Sequence, residues 1–236
     1  MNYTTGKGVS EELRDAPEMC VASRRKTITL DEMRVLAWLR LYAPQIVSTE
    51  SKFNVDRRAI AGAIAWEALE NVKHGTGLWP GPGKVHASGI TKLFGRAVPN
   101  PMKTSVAEQT EKAGYLPVRK GIVDRYKVLK NPTASIAYIA AIMRAGSDIA
   151  EENGFVVNND PVVLTEFYQG WDLDRWRAHL KSKTPGTSLV GADTMAVWVS
   201  KNLDYLEDAV GKPTVKLQCS DTRMRPRLTI PAVRKR

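Results

Sequence analysis

The sequence predicts an all-α fold. Three observations carry that reading: apolar residues recur at three- and four-residue spacing in several separate stretches, cap residues followed by proline or glutamate stand ahead of them, and no convincing run alternates apolar with polar residues as a half-buried strand would. The 236 residues are 43% hydrophobic, which suits one sizeable core with tails. The expected organisation is a loosely ordered polar segment over 1–27, a helical domain over 28–211 and a basic tail over 212–236.

The elements follow in order. Thr29 and Glu32 have capping-box spacing and open a helix over the apolar run MRVLAWLRLYAPQIV. Asn54 or Asp56 can cap the next, AIAGAIAWEALEN. From Asn71 to Pro101 the many Gly and Pro residues read as loop. Ser105 and Glu108 again have capping-box spacing, for a short helix ending near Gly114. Asn131-Pro132 is a cap followed by proline at the first helical position, ahead of a long run stopped by Gly154, and Asp160-Pro161 repeats the signal ahead of VVLTEFYQG. DLDRWRAHLKSK and DTMAVWVSKNLDYLEDAVG make two further helices.

A formal net charge of +10 points to an anionic partner: nucleic acid, a membrane surface or a cell-wall polymer. No apolar run is long enough to span a bilayer, and the first residues lack the apolar core of a signal peptide, so the expectation is synthesis in the cytoplasm and, for any external action, an exit without a cleaved signal. Cys20 and Cys219 are too few and too distant for a metal site; they stand as free thiols or as one long-range pair. The three histidines add no metal-ligand spacing, so neither metal nor cofactor is expected.

One residue breaks the pattern. Ile60, Ile64 and Glu67 share a helical face, and nearly every other position of that helix is apolar, which marks a core helix. Glu67 stands near its C-terminal end. Desolvation, the negative end of the helix dipole and Glu70 three residues on would all raise its pKa, which is what a general acid needs near neutral pH. The competing reading pairs Glu67 and Glu70 with Arg57, Arg58 or Lys73 at the surface.

The order of segments YAPQI, NVDRRAIAGAIAWE, a Gly-rich loop, NPTASIAYIAAIMRAG and LTEFYQG resembles the lysozyme-like superfamily, in particular lytic transglycosylases and goose-type lysozymes, over roughly residues 38–205. The resemblance implies that Glu67, ending a long core helix, is the catalytic acid. It implies that Gly83, Lys84 and His86 line the sugar groove, with His86 where the family usually has Gln, and that Tyr168 contacts the catalytic carboxyl beside Gln169, where Asn is usual. Ala68 replaces the usual Ser after the Glu. The substrate implied is peptidoglycan, cut at the β-1,4 bond between N-acetylmuramic acid and N-acetylglucosamine.

Most glycosidases use two carboxylates. No Asp or Glu lies between Glu70 and Glu108. Either Glu67 acts alone, as in lytic transglycosylases, or a second carboxylate comes from further along, with Glu108 the leading candidate beside Glu111 and Asp124; capping of its own helix is the plain alternative for Glu108. Lys84, Lys92 and Arg96 would attract the carboxylates of peptidoglycan stems, or form a solvated basic face. Trp66 and Trp79 flank the expected groove, while Trp38, Trp171, Trp176 and Trp198 read as packing.

The chain also looks like the peptidoglycan-cleaving effectors injected by type VI secretion. That likeness implies action in the periplasm of a target cell, a secretion apparatus and a cognate immunity protein as partners, and no membrane insertion. A phage-type endolysin of the same chemistry and a basic nucleic-acid-binding helical protein are the alternatives; against the latter, no aromatic-basic module or helix-turn-helix spacing appears, so nucleic acid is not the expected partner.

Overall fold

The computed structural model describes residues 28–73, 90–93, 96–99, 101–129, 131–191 and 194–214. Its helices are α1 (Leu30–Leu41), α2 (Ala43–Phe53), α3 (Arg57–Lys73), α4 (Pro101–Lys112), α5 (Ile122–Leu129), α6 (Pro132–Glu152), α7 (Pro161–Gly170), α8 (Leu173–Lys181), α9 (Thr194–Lys201) and α10 (Leu203–Val210). Between α3 and α4 lies one antiparallel pair, β1 (Ile90–Leu93) and β2 (Arg96–Pro99), with Ile90 opposite Pro99 and Leu93 opposite Arg96. Among the described residues the fold is all-α with this one small antiparallel pair.

The start signals act where the sequence places them. Thr29 accepts from the Glu32 amide while the Glu32 carboxylate accepts from the Thr29 amide, so two orphan donors of α1 are satisfied reciprocally. Of the two candidate caps for α3, Asp56 serves: its Oδ1 accepts the Arg58 amide at 2.8 Å, whereas Asn54 sits in the left-handed region and ends α2. Asn131 caps α6 and Asp160 caps α7, the latter accepting from both Val162 and Val163.

Four expectations need correction. The run from Met33 to Val47 is two helices, divided at Tyr42, because Pro44 lacks an amide to continue the α1 ladder and is tolerated only in the first turn of α2. Ser105 opens nothing: α4 begins at Pro101 and Ser105 lies inside it. The expected last helix is α9 and α10, divided at Asn202, whose amide returns to Val199. The 71–101 stretch, read as loop, holds the β1–β2 hairpin, and α5 was not expected at all.

Helix α3 is the axis of the packing, touched by α1, α2, α6, α7, α9 and α10. Ala59, Ile60, Ala61, Ala63, Ile64 and Ala65 are all buried, on every side of the helix, which explains its lack of a polar face. Small residues let the neighbours come close. A Cβ on Gly62 would stand 2.6 Å from Val199 Cγ2 of α9, and one on Gly146 of α6 would stand 2.4 Å from the Phe167 ring of α7. Trp176 fills the space behind that contact and donates its indole N–H to the Gly146 carbonyl at 3.0 Å.

Three buried carboxylates are held by arginines. Glu50 receives Arg57 Nε at 2.8 Å; Asp56 receives Arg58, which also reaches Glu207; Glu111 receives Arg125 Nε at 2.6 Å and Nη2 at 2.9 Å. A buried charge without such partners would be costly to desolvate, and these pairs fix the ends of α2, α3, α4 and α5.

Candidate functional site

Along α3 the enclosure loosens after Ala65: Trp66, Leu69 and Glu70 are partly exposed. Glu67 lies in this stretch but does not end the helix, which runs six residues further to Lys73, and it is still only 8% exposed. Its burial counts against a pairing at the surface. The pairing expected of its neighbours goes elsewhere as well: Arg57 belongs to Glu50, and Arg58 to Asp56 and Glu207.

Helix α7 packs against α3 and brings Tyr168, itself 3% exposed, towards that end. The Tyr168 phenol is held well above its ordinary pKa, first by burial and then by the charge on Glu67. The two side chains thus share one electrostatic environment, and the phenol stays protonated. A neutral hydroxyl beside a carboxyl can orient it and can stabilise whichever form carries the charge.

Gln169, expected to touch substrate, has its carbonyl committed elsewhere: Oε1 accepts the Met195 amide at 3.0 Å in the first turn of α9. That bond ties α7 to α9 and gives the carbonyl a structural duty. Gly83, Lys84 and His86 lie outside the described residues, as do Trp79, His74, Cys20 and Cys219. Lys92 and Arg96 stand on β1 and β2, opposite Ala97 and Leu93.

The candidates for a second carboxylate are accounted for otherwise. Glu108 faces solvent and pairs with Lys112 one turn on, at 2.5 Å. Glu111 is the centre of a buried cluster that also takes the Tyr138 hydroxyl at 2.7 Å and the Arg119 amide at 3.1 Å. Burial pushes the Glu111 pKa up, but the Arg125 and Tyr138 bonds outweigh it and leave it below the ordinary carboxylate range. Asp124 accepts the Lys120 amide.

Sequence reasoning passed over Glu166. It is 7% exposed on α7, and its Oε1 lies 3.1 Å from where a Cβ on Gly191 would stand. Its spacing of three from Gln169, inside LTEFYQG, was the signal that could have found it: both residues face the segment leading into α9. His179 packs on Trp171 and Trp176, and desolvation followed by the nearby Lys183 lowers its pKa. Trp38 and Trp176 are core, while Trp66, Trp171 and Trp198 pack partly exposed against it. Among the described residues no group of three or more His, Cys, Asp or Glu could hold a metal ion, and no helix is long and apolar enough to cross a membrane.

The fold and the site define a helical protein with a carboxyl and a phenol both buried, close enough for the charge on one to act on the other. No protein-family model, no curated protein and no solved structure matches the chain.

Proposed function

We propose that the protein cleaves the glycan backbone of peptidoglycan at the β-1,4 bond between N-acetylmuramic acid and N-acetylglucosamine, as a lysozyme-like lytic transglycosylase or muramidase, with Glu67 as the general acid and base. The observation that carries this reading is the placement of Glu67: 8% exposed, near the emerging end of the core helix, with its charge felt by the buried Tyr168 phenol. A buried carboxyl near a protonated phenol is a group that could pass a proton to a leaving oxygen and take one back.

The step runs on one carboxyl. Glu67 gives its proton to the glycosidic oxygen as the C1–O bond breaks, and charge develops on the sugar ring. The Glu67 carboxylate then takes the proton of the muramyl 6-hydroxyl, whose oxygen bonds to C1 and closes an anhydro ring. Tyr168, protonated throughout, holds the carboxyl in place. The engagement of Glu108 with Lys112 and of Glu111 with Arg125 favours this single-carboxyl route over a two-carboxyl hydrolysis.

The setting that suits this chemistry is an antibacterial effector delivered by type VI secretion, with an immunity protein blocking the groove in the producing cell; a phage-type lysin would share the chemistry. Digestion of purified peptidoglycan by wild type and by Glu67→Gln, with soluble fragments analysed by mass spectrometry, tests the reading. Anhydro-muropeptides from wild type and none from the variant are expected. Reducing-end fragments would make it a muramidase. No fragments from wild type would remove the enzymatic reading and leave a basic binding protein, and a Glu67→Gln variant as active as wild type would remove Glu67 from the chemistry and make it a structural residue.

A further inference from the structure

The Glu111 cluster holds more positive charge than its carboxylate can use. Glu111, Arg125 and Tyr138 are all buried. Arg125 binds the carboxylate through Nε at 2.6 Å and Nη2 at 2.9 Å, and the Tyr138 hydroxyl and the Arg119 amide also donate to it. Four accepted bonds fill the lone-pair positions of a carboxylate. The Arg119 guanidinium belongs to the same cluster: burial and Glu111 raise the Tyr138 pKa, and the Arg119 charge opposes them. Two cations thus face one anion.

Two donors are left over. Among the described residues, Arg125 Nη1 and Arg119 Nε are shielded from solvent and have no hydrogen-bond partner. Arg125 uses its side edge on Glu111, so its outer edge keeps the two N–H groups of Nη1. A buried charged donor without an acceptor is unfavourable, and an anion relieves it. The other carboxylates nearby are engaged. Glu108, whose charge also acts on Arg125, pairs with Lys112 at the surface, and Asp124 accepts the Lys120 amide.

Arg119 stands in the connection between α4 and α5, which holds Gly114 at φ 88° and ends at Gly121 at φ 131°; a Cβ at either would meet nothing within 4 Å. Pro117, Val118 and Lys120 are exposed there and Arg119 is partly exposed. A small solute can therefore reach the cluster from this connection, whereas a polymer cannot reach Arg125, which is 1% exposed.

We propose that Arg119 and Arg125 form a binding site for a small oxyanion, of the phosphate or carboxylate type, which joins the cluster as its second negative charge. Planar guanidinium groups take two oxygens of one ligand in paired N–H bonds, a match that a single halide ion lacks. Arg119 lies three residues ahead of α5 and Arg125 is its fourth residue, so the positive end of that helix adds to their attraction. The site is built on α4, α5 and α6, whereas Glu67 and Tyr168 stand on α3 and α7, and it does not depend on the proposed cleavage.

The test is thermal unfolding of the full chain at pH 7 and one fixed ionic strength, with sodium phosphate or sodium acetate replacing sodium chloride stepwise. At about tenfold excess over its dissociation constant, an anion bound only by the folded state should raise the melting temperature by about 3–6 °C. Wild type is expected to show that rise. Arg119→Gln leaves the Glu111–Arg125 pair in place and should lose most of it. Lys120→Gln removes a positive charge from the same connection but no donor of the cluster, and should keep it. Arg119→Lys, which keeps the charge without the planar donors, reads the same loss where Arg119→Gln folds poorly. A wild-type melting temperature equal in all three salts overturns the site. So does a rise of equal size in wild type, Arg119→Gln and Arg119→Lys, since a purely structural Arg119 would lower the melting temperature alike in every buffer. A larger rise with phosphate than with acetate supports free phosphate as the ligand, and the reverse supports a carboxylate.

Discussion

Replacing Glu111 by Gln separates structure from catalysis among the acidic residues. Glu111 accepts four hydrogen bonds, from Arg125 Nε and Nη2, the Tyr138 hydroxyl and the Arg119 amide, and both it and Arg125 are 1% exposed. Gln keeps the shape but loses the charge, and its amide nitrogen would face guanidinium donors it cannot accept from. An uncompensated buried guanidinium costs about 3–5 kcal/mol. At ~2–4 °C per kcal/mol for a chain of this size, the melting temperature should fall by roughly 6–20 °C. Glu108→Gln breaks only the solvent-facing pair with Lys112 and should cost less than ~0.5 kcal/mol. Arg125→Met added to Glu111→Gln should recover part of the loss, because the stranded charge is then gone. Thermal unfolding followed by far-ultraviolet circular dichroism reads all of these. A Glu111→Gln shift under 2 °C would refute the cluster as a structural anchor. A Glu108→Gln or Glu111→Gln variant that keeps its stability but loses wall digestion would restore the second carboxylate and end the single-carboxyl route.

Three further outcomes follow from the same geometry. Glu111 and Glu50 both titrate below the ordinary range in the folded protein; for each, burial alone would push upward, and the arginine bonds more than offset it. Their stabilisation is full above the unfolded carboxylate pKa near 4.3 and is lost as pH falls through the lower folded values, so urea midpoints should drop below about pH 4, and less so in Glu111→Gln. The Tyr138 hydroxyl is pushed up to about 12 by burial and by Glu111, so its contribution is full below the unfolded value near 10 and fades as pH rises towards 12; Tyr138→Phe should flatten that alkaline decline in the same titration. Gly146→Ala puts a methyl 2.4 Å from the Phe167 ring and should cost about 1–3 kcal/mol by thermal unfolding, with wild-type stability refuting the close α6–α7 contact.

The helix starts were legible because each is a local event. Asp160 needs only the amides of Val162 and Val163, two and three residues away, and Asn131 only that of Ala134. The burial of Glu67 was legible because an apolar run on all sides of a helix leaves its neighbours little choice but to be core. The break at Tyr42 had a local sign in Pro44, which the continuing apolar period masked, whereas the break at Asn202 has no proline or glycine to mark it and is set by the packing of α9 against α7 and of α10 against α1. Gln169 was assigned to substrate by resemblance, and its bond to Met195, 26 residues away in sequence, has no local signature. Glu166 was missed for the same reason. Its spacing from Gln169 was visible, but the segment that both residues face was not.

Charge and carboxyl bear on the proposed function separately. The +10 of the chain, taken alone, names no class of partner and says nothing about Glu67. The described residues are nearly balanced, with 21 Lys and Arg against 19 Asp and Glu, so most of the charge lies outside them, whereas the proposed chemistry rests on Glu67 and Tyr168 inside the domain. If the proposed cleavage holds and the basic residues of the 84–96 stretch do not contact the substrate, cleavage of short soluble glycan should vary little with salt between about 50 and 500 mM, while cleavage of intact, anionic sacculi should weaken over the same range. Equal salt dependence on both substrates would place the cationic contacts in the groove itself and return the basic residues of the 84–96 stretch to the centre of substrate binding.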